Sequence, residues 1–342
     1  MDLSPFLNRV LAGEDLPAPQ AEEAMNVILE GAAGPVQIGA FLVALRMKGE
    51  TAGEVLGFAR AMRAKATRVD AGGGAGPLLD IVGTGGDGHS TFNISTTAAF
   101  VAAGAGVRVA KHGNRSISSR CGAADVLEGL GIGLLADPEL MGRAIREVGI
   151  GFLFAPALHP AMKHAQPVRR ELKIRTVFNI LGPLTNPAGA DCQLTGAPSL
   201  AAAELMARAL AELGVRRAFV VHGSDGLDEI TLTGETYAFE VREGSVTRRD
   251  FSPADFGLPS ARLEEFRGGD AAENAAIVRA VLAGETGPRR DIVLANTAAA
   301  LVTAGRAGDL REGVAVAAES IDSGAAREKA EQLAAFTREH AG

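Results

Sequence analysis

The chain has 342 residues, of which 47% are hydrophobic and 22% are charged, and its formal net charge is −7. This length is enough for two domains, and the composition is that of a globular protein, which excludes an intrinsically disordered chain. No long run of Lys or Arg provides the basic surface that a nucleic-acid duplex requires, so we predict no nucleic-acid partner.

The cysteine content and the apolar segments indicate the compartment. Two cysteines without a CxxC pair argue against a disulfide framework and against a thiolate metal site. The N-terminus lacks the basic and apolar regions of a signal peptide, and the longest apolar stretches, such as residues 98–109, are short and rich in Ala and Gly. We therefore expect a cytoplasmic protein with no membrane partner.

The first 70 residues have helical patterns only. One helix is predicted at about Pro19–Glu30, and a second begins at Pro35 and ends at Gly49. A third follows a capping-box pattern that runs from Thr51 to Glu54. The next segment, residues 71–77, is rich in glycine, which is typical of a linker or hinge.

After the linker, short apolar segments alternate with helical ones. The strand candidates are Leu78–Val82, Val107–Ala110, Gly151–Ala155 and Ala218–Val221. The helix candidates between them lie near Ser95–Gly104, Gly122–Gly131, Pro138–Val148 and Leu200–Leu213. Antiparallel strands are predicted over Ile230–Val246, and helices from about Ala271 onward.

This alternation predicts an α/β fold with a mostly parallel central sheet flanked by helices, preceded by a small all-α domain. The predicted domain limits are a helical domain over 1–70, a hinge over 71–77 and an α/β domain over 78–342.

The first segment whose residues suit ligand binding is the loop that follows the first strand. Residues 83–88 contain four glycines, and hydroxyl side chains follow within residues 91–96, where a helix begins. Glycines let backbone N–H groups converge on an anion, and a helix N-terminus adds partial positive charge. Neither a Walker ending nor a dinucleotide GxGxxG unit is present. The alternative is a plain tight turn with an N-cap, but the clustered hydroxyls favour a phosphate site.

The second segment, Lys111–Arg120, follows the second strand and carries cations and three serines. Since ligands of open α/β sheets bind at the carboxyl ends of the strands, this composition suits a polyanion such as a diphosphate. The alternative is a solvated basic turn.

Two further segments give weaker signals. Arg169 can grip a carboxylate with two hydrogen bonds, although the residues alone favour a surface arginine. His159 and His164 are interpreted as structural or solvated, because no cluster of metal ligands accompanies them. The adjacent carboxylates Asp228 and Glu229 suit Mg²⁺, with an ordinary acidic turn as the alternative. No arrangement for covalent catalysis is present, and no catalytic side chain is assigned.

Together these segments resemble the anthranilate phosphoribosyltransferase family. Five matching motifs occur in one order: Gly83–Asp87, Thr91–Thr96, Lys111–Arg115, Phe178–Pro187 and Asp228–Ile230. The resemblance implies a nucleoside phosphorylase/phosphoribosyltransferase-like fold, a homodimer, and a helical domain that part of residues 160–185 joins in space. The implied reaction transfers the phosphoribosyl group of 5-phosphoribosyl 1-diphosphate (PRPP) to the amine of anthranilate, with Mg²⁺ as cofactor, in tryptophan biosynthesis.

The resemblance also implies the site residues. PRPP is expected to contact Gly83, Gly86, Asp87, Thr91, Asn93, Ile94, Ser95, Thr96, Lys111, His112, Gly113, Asn114, Arg115, Ser116, Ile117, Ser118, Ser119 and Ala123. Anthranilate is expected to contact Gly83, Asn114 and Arg169, with Arg169 facing its carboxylate. Magnesium is expected at Ser95, Asp228 and Glu229.

One residue departs from the family pattern. The family usually has a serine where this chain has Ala123, so a hydroxyl contact to the diphosphate is expected to be missing, which predicts weaker binding and the same reaction. Three alternatives stand beside this interpretation: a pyrimidine nucleoside phosphorylase, a nucleic-acid-binding relative without the chemistry, and a purely structural homodimer. The Asp228–Glu229 pair and the glycine loop argue against the first, the net charge against the second, and the joint presence of all five motifs against the third.

Overall fold

The protein is described by a computed structural model that covers residues 2–73, 76–116 and 120–340. Its N-terminal region consists of four helices, α1 (Ser4–Leu11), α2 (Ala18–Leu29), α3 (Pro35–Lys48) and α4 (Ala52–Lys65). The helical pattern predicted for this region is therefore confirmed. No helix in the described ranges is long and apolar enough to cross a membrane.

The ends of these helices follow from local sequence. Pro35 occupies the first turn of α3, where its missing N–H costs no hydrogen bond. Thr51 and Glu54 form the predicted capping box of α4: the Thr51 hydroxyl accepts from the Glu54 N–H at 3.3 Å, and the Glu54 carboxylate accepts from the Thr51 N–H at 2.9 Å. Glu54 is fully buried and is paired with Lys48 at 3.0 Å, so its charge is compensated inside the helical region.

A seven-stranded sheet forms the centre of the remaining chain. Its strands are β1 (Leu78–Gly83), β2 (Arg108–Gly113), β3 (Ile150–Phe154), β4 (Cys192–Gly196), β5 (Arg217–Gly223), β6 (Thr236–Arg242) and β7 (Ser245–Arg248). They lie in the order β3-β2-β1-β4-β5-β6-β7. The first five strands are parallel and the last two are antiparallel, which confirms the mostly parallel sheet.

The chain between and after the strands forms helices, several of which pack on the sheet. They are α5 (Ile94–Gly104), α6 (Ala123–Gly129), α7 (Pro138–Glu147), α8 (Ala155–Leu158), α9 (Gln166–Leu172), α10 (Phe178–Leu181), α11 (Leu200–Glu212), α12 (Ala271–Leu282), α13 (Pro288–Thr303), α14 (Leu310–Asp322) and α15 (Ala325–Glu339). Successive residues of β5 point to opposite faces: Phe219 and Val221 enter the core shared with α5 and α13, whereas Ala218 and Val220 enter the core shared with the N-terminal helices and α11.

Two predictions about strands were wrong. Strand β4 was missed because fully buried Gln193 and Thr195 interrupt its apolar pattern. The antiparallel region begins at Thr236, because the backbone before it is held by side chains: the Thr231 N–H, for example, donates to the Thr236 hydroxyl at 3.0 Å. Both errors arise at polar residues, whose burial or contacts with the backbone a hydrophobic pattern does not show.

The strand order places a crevice at the centre of the sheet. The chain leaves β1 to form β2 on one side and later returns to form β4 on the other. In an open parallel sheet this reversal opens a crevice outside the carboxyl ends of the two central strands, which is where ligands bind. The loops after β1 and β4 therefore define the region in which to seek a site.

The amino edge of the same sheet holds the linker. The Arg108 guanidinium, at the start of β2, donates to the carbonyl groups of Ala71 at 3.0 Å and of Gly72 and Gly76 at 3.1 Å. Residues 74 and 75 lie outside the described residues. Helix α9 packs against α3, where Val168 belongs to the same apolar core as the N-terminal helices. The exact limits 1–70, 71–77 and 78–342 stay a prediction.

Candidate active site

The glycine loop after β1 encloses a carboxylate that comes from a distant part of the chain. A Cβ at Gly83 would lie 2.6 Å from Asp228 Oδ2, and a Cβ at Gly196, the last residue of β4, would lie 1.6 Å from the Asp228 carbonyl oxygen. Only glycine fits at these two strand ends while Asp228 stays in place. The Gly85 N–H donates to Asp228 Oδ2 at 2.6 Å, and the Thr84 hydroxyl donates to the same atom at 3.3 Å.

Glu229 extends this contact to the start of helix α5. The Ser95 N–H donates to Glu229 Oε1 at 3.2 Å. Asp228 is buried and Glu229 is half-buried, and burial raises the pKa of both carboxyls. The charge of Asp87 raises the pKa of Asp228 further, and the charge of Asp228 does the same for Glu229. The site therefore holds negative charge that is costly without a neighbouring cation.

The donor set fits magnesium. Among residues 2–73, 76–116 and 120–340 there is no group of three or more His, Cys, Asp or Glu side chains that could hold a metal. Mg²⁺ does not need such a group, because it is commonly held through one or two carboxylates together with substrate phosphates and water. Asp228, Glu229 and the Ser95 hydroxyl supply hard oxygen atoms at one place, beside the glycine loop.

The N-terminus of α5 faces this region, but its side chains differ in use. Ile94 and Thr96 are buried, and the Thr96 hydroxyl has no hydrogen-bond partner in the described part of the chain. These two residues can therefore offer backbone N–H groups at a helix N-terminus rather than side chains. Thr91, just before the helix, is half-buried and forms an isolated bridge with Arg267.

The end of β2 brings a cation to the same place. Lys111 is buried, and its ammonium donates to the Ile81 carbonyl at 2.6 Å and to the Ser95 hydroxyl at 3.4 Å. Burial lowers its pKa, which the charges of Asp80 and Glu229 partly offset. Two other residues predicted to contact PRPP lie in the glycine loop. Gly86 has a φ of +73°, and the Asp87 carboxylate accepts from the His89 N–H at 3.0 Å.

His112 is neutral and points towards the segment after α10. Its Nδ1 lies 3.2 Å from the Gly182 carbonyl oxygen, and its ring centroid lies 5.2 Å from that of His159. Burial lowers the pKa of His112 to about 3 and that of His159 to about 4. Nε2 of both rings is buried without a hydrogen-bond partner in the described residues.

The loop beyond β2 is exposed. Gly113 ends the strand, Asn114 and Arg115 are exposed, and the Arg115 guanidinium makes two hydrogen bonds to Glu128, at 2.6 and 2.7 Å, and one to Asp125 at 3.0 Å. The Ser116 N–H donates to Asp125 at 3.2 Å. The predicted PRPP ligands Ile117, Ser118 and Ser119 lie outside the described residues. The structure thus directs Arg115 towards α6, and its contact with PRPP stays a prediction.

Ala123 lies at the first position of α6, opposite the end of β2. Its methyl group would be 3.3 Å from a Cβ placed at Gly113. The neighbouring Gly122 N–H donates to Asp125 at 2.8 Å, so Asp125 fixes the turn that presents Ala123. A hydroxyl at position 123 would therefore stand beside the loop predicted to hold diphosphate.

Arg169 supplies a positive charge without a partner. It lies on α9, half-buried, with its guanidinium carbon 5.1 Å from the centre of the Phe178 ring. Its guanidinium has no hydrogen bond or ion pair within the described residues, whereas Arg115 and Arg108 are both engaged. A planar guanidinium held on an aromatic ring is suited to a carboxylate, which it binds with two parallel hydrogen bonds.

Three buried polar residues support the site and were missed by the sequence reasoning. Asp80, inside β1, accepts from the His112 N–H at 3.1 Å and from the Asn186 amide at 2.8 Å, and burial raises its pKa to about 6. Asn274 donates to Asn93 Oδ1 at 2.9 Å, which orients the Asn93 amide. A charged residue within an apolar strand was the available signal for Asp80, and nothing local marked Asn274.

Comparison with known proteins gives the same assignment for the whole chain. Residues 4–66 match the glycosyl transferase family helical bundle domain, and residues 75–327 match the glycosyl transferase family a/b domain. An anthranilate phosphoribosyltransferase of Solibacter usitatus is 62% identical over 98% of this chain and 99% of its own length. The chain belongs to the anthranilate phosphoribosyltransferase family.

Solved structures of this family share the fold. The enzyme of Thermus thermophilus has a TM-score of 0.92 and 48% identity, covering 99% of this chain and 100% of that one. The Saccharomyces cerevisiae enzyme in complex with PRPP and Mg has a TM-score of 0.89 and 30% identity, covering 98% of both chains. The same yeast enzyme has also been solved in complex with 4-fluoroanthranilate. The resemblance drawn from five motifs is thereby confirmed over nearly the full length.

Proposed function

We propose that this chain transfers the phosphoribosyl group of PRPP to the amine of anthranilate, giving N-(5-phosphoribosyl)anthranilate and diphosphate in tryptophan biosynthesis. The observation that carries the proposal is the meeting of the glycine loop, the start of α5 and the Asp228–Glu229 pair at the carboxyl ends of β1 and β4. The yeast relative's complex with PRPP and Mg supports both the substrate and the metal.

PRPP is proposed to lie across the glycine loop and the start of α5. Backbone N–H groups of the loop and of the first turn of α5 bind phosphate oxygens, and Lys111 adds a positive charge from the neighbouring strand β2. Asp228, Glu229 and Ser95 hold Mg²⁺, which neutralises charge on the diphosphate when it is bound. The raised pKa of both carboxyls supports this role, because burial and the neighbouring carboxylate raise it and a bound cation would offset both.

Anthranilate is proposed to lie between the ends of β2 and α9. Arg169 faces the carboxylate of the substrate, and Asn114 and Gly83 complete the contacts predicted from the family pattern. The unpaired guanidinium and its stacking on Phe178 support this placement. The neutral ring of His112, buried beside this region, avoids a second positive charge next to the amine.

The reaction forms one bond and breaks another at the same carbon. The anthranilate nitrogen donates its lone pair to ribose C1 while the C1–O bond to diphosphate breaks, and the diphosphate leaves with that electron pair. The nitrogen, which is positively charged after the attack, then releases one proton to the diphosphate or to water. An aryl amine is neutral at pH 7, so its lone pair is available without a base, and no side chain is assigned to that task. Lys111 and the backbone donors of the loop stabilise the charge that develops on the leaving group.

We also propose a cytoplasmic homodimer. The exposed large hydrophobic residues Leu11, Val36 and Met47 lie on α1 and α3, with 67%, 85% and 83% of their surface accessible. Exposed apolar residues gathered on neighbouring helices are typical of a protein–protein interface. A hinge over 71–77 between the helical and the α/β parts is proposed to close the site around both substrates.

The deciding assay follows anthranilate fluorescence in the presence of PRPP and Mg²⁺. The chain has no Trp and one Tyr, so protein emission interferes little. Consumption that needs all three components supports the proposal. Phosphate-dependent cleavage of a pyrimidine nucleoside, without consumption of anthranilate, would instead identify a phosphorylase.

A further inference from the structure

The loop that carries Asp228 and Glu229 has no helix or strand of its own. Residues 224–235 connect β5 to β6, and they place Asp228 Oδ2 2.6 Å from the Gly85 N and Glu229 Oε1 3.2 Å from the Ser95 N. A loop keeps two side chains in fixed positions only where other parts of the fold hold its backbone. The loop must therefore be restrained from elsewhere in the fold.

The restraint comes from a residue on α13. Asn296 is fully buried, and its Oδ1 accepts from the Ile230 N–H at 3.0 Å while its Nδ2 donates to the Ile230 carbonyl at 2.9 Å. The same Nδ2 donates to the Ile292 carbonyl, one helical turn earlier, at 2.9 Å. The amide thus joins the loop to the frame of α13.

The orientation of this amide follows from its partners. The Ile230 N–H can only donate, so the oxygen of Asn296 must face it, and both hydrogens of the amide nitrogen then meet carbonyl oxygens. One side chain pairs with both the N–H and the C=O of a single residue, as a neighbouring strand does in a sheet. Ile230 is the residue next to Glu229, so this pairing fixes the backbone on one side of the carboxylates.

Asp225 holds the other side of the same loop. Its Oδ1 accepts from the Leu227 N–H at 3.1 Å, and its Oδ2 accepts from the hydroxyls of Thr231 at 2.6 Å and Thr233 at 2.8 Å. Asp225 is half-buried, whereas Asn296 lies in the core. The backbone of residues 228–229 is therefore held between two restraints that contact neither carboxylate.

We propose that Asn296 is a positioning residue that holds Asp228 and Glu229 ready for Mg²⁺ before the metal binds. The inference rests on the proposed function, since it assigns the Asp228–Glu229 pair to the metal. Without Asn296 the loop can relax away from the glycine loop, and Mg²⁺ must then draw the two carboxylates together again. The cost falls on metal affinity, and not on the chemistry once the metal is bound.

The test compares Asn296→Leu with Thr297→Val. Leucine has the same branching and the same number of side-chain heavy atoms as asparagine, and it removes all three hydrogen bonds. Thr297 is the adjacent residue of α13, equally buried, and its hydroxyl has no hydrogen-bond partner within the described residues, so Thr297→Val removes a buried polar group without touching the loop. We expect Asn296→Leu to raise the half-saturating Mg²⁺ concentration by about 10- to 100-fold, as loss of an outer-shell partner does. Its kcat at saturating Mg²⁺ should return to near the wild-type value.

A second readout needs no substrate and no metal. Hydrogen exchange of the peptide that contains residues 224–235 is measured in the metal-free protein. We expect faster exchange of this peptide in Asn296→Leu and wild-type exchange in Thr297→Val. This measurement judges the restraint even if the wild-type protein does not consume anthranilate, which would refute the proposed function instead.

Two results would overturn the inference. One is an unchanged Mg²⁺ requirement together with unchanged exchange of the loop in folded Asn296→Leu. The other is a loss of kcat that saturating Mg²⁺ does not restore. If circular dichroism shows that Asn296→Leu is unfolded, Asp225→Asn decides, because it weakens the second restraint from a less buried position: it should shift the Mg²⁺ requirement in the same direction, and a wild-type requirement would contradict the inference.

Discussion

The two edges of the central sheet use their polar groups in opposite ways. At the amino edge, Arg108 donates to the linker carbonyls of Ala71, Gly72 and Gly76. Asp191 accepts from the Leu78 N–H at 2.7 Å and pairs with Arg216 at 3.0 Å. At the carboxyl edge, Asp228 and Glu229 are placed together with a raised pKa, and Arg169 has no partner within the described chain. Both sets of groups lie at the ends of the same sheet, and they differ in how far other groups of the protein compensate their charge.

This contrast separates stability from function. Groups at the amino edge form hydrogen bonds and an ion pair with one another, so they contribute to the stability of the fold. Groups at the carboxyl edge are compensated only in part, by Lys111 and by backbone N–H groups, until a ligand binds, so they lower the stability of the free protein and are available for binding. Substitutions at one edge should therefore affect unfolding, and substitutions at the other should affect turnover.

The largest expected effect comes from neutralising the acidic pair. Asp228→Asn combined with Glu229→Gln should lower kcat/KM by at least about 100-fold, because the several kcal/mol supplied by a bound metal are lost. The same variant should be more stable than the wild type in the absence of metal. The midpoint of thermal unfolding and the turnover rate check both statements in one preparation.

The pH dependence of that stability gain has a definite sign. A carboxyl whose pKa is raised in the folded state binds more protons there than when unfolded, so the free energy of unfolding falls as pH rises between the two pKa values. The gain should thus be absent near pH 4 and grow towards pH 8. Asp191→Asn at the amino edge is the control and should lower stability; a similar gain in that variant would contradict the contrast between the edges.

Arg169→Ala is expected to have the next largest effect. Loss of a hydrogen-bonded charge costs about 1.5–3 kcal/mol, which corresponds to a rise of about 10- to 150-fold in the KM for anthranilate. The KM for PRPP should change little. Arg170→Ala, an exposed neighbour on α9, is the matched control and should resemble the wild type. Equal effects of Arg169→Ala on both substrates would assign it a structural role.

At the amino edge, Arg108→Ala should act on folding alone. The hydrogen bonds to the carbonyls of Ala71, Gly72 and Gly76, in the described part of the linker, are lost, so the free energy of unfolding should fall by about 1–3 kcal/mol, since each contributes about 0.5–1.5 kcal/mol and water replaces part of them. Urea unfolding measures the change, and kcat/KM should stay at the wild-type value. Arg306→Ala, which loses a single hydrogen bond to the Ala105 carbonyl, should cost less. A large loss of kcat in Arg108→Ala would mean that the linker governs turnover.

The smallest expected effect is that of Ala123→Ser. A hydroxyl added beside the loop after β2 should lower the KM for PRPP a few-fold, in line with about 0.5–1.5 kcal/mol for one hydrogen bond. The KM for anthranilate should not move. An unchanged KM for PRPP would mean that this position does not face the diphosphate.

The sequence predicted the parts of the fold and the site that depend on local pattern. Some features depend only on residues close to them in the chain, so the sequence alone predicted their roles. They are Pro35, the Thr51–Glu54 capping box and the glycines after β1. Strand β4 and Asn296 were not found, because their structure depends on partners far along the chain: Gln193 is buried in a sheet, and Asn296 meets Ile230 from a separation of 66 residues. Arg169 was recognised only through the family pattern. That its guanidinium stacks on Phe178 without an ion pair among the described residues is visible only in the folded structure.

The position of β4 between β1 and β5 has a consequence for synthesis on the ribosome. The Leu78 N–H has its acceptor on Asp191, 113 residues further along the chain, and the side of β1 that pairs with β4 likewise depends on residues synthesised much later. At about 5–20 residues per second, that edge stays unpaired for roughly 6–20 s while β2, β3 and α9 emerge. An unpaired strand edge is a template for pairing with another chain. The strand order that opens the binding crevice therefore also exposes the nascent chain to aggregation, and the ligand site cannot form until β4 has been synthesised.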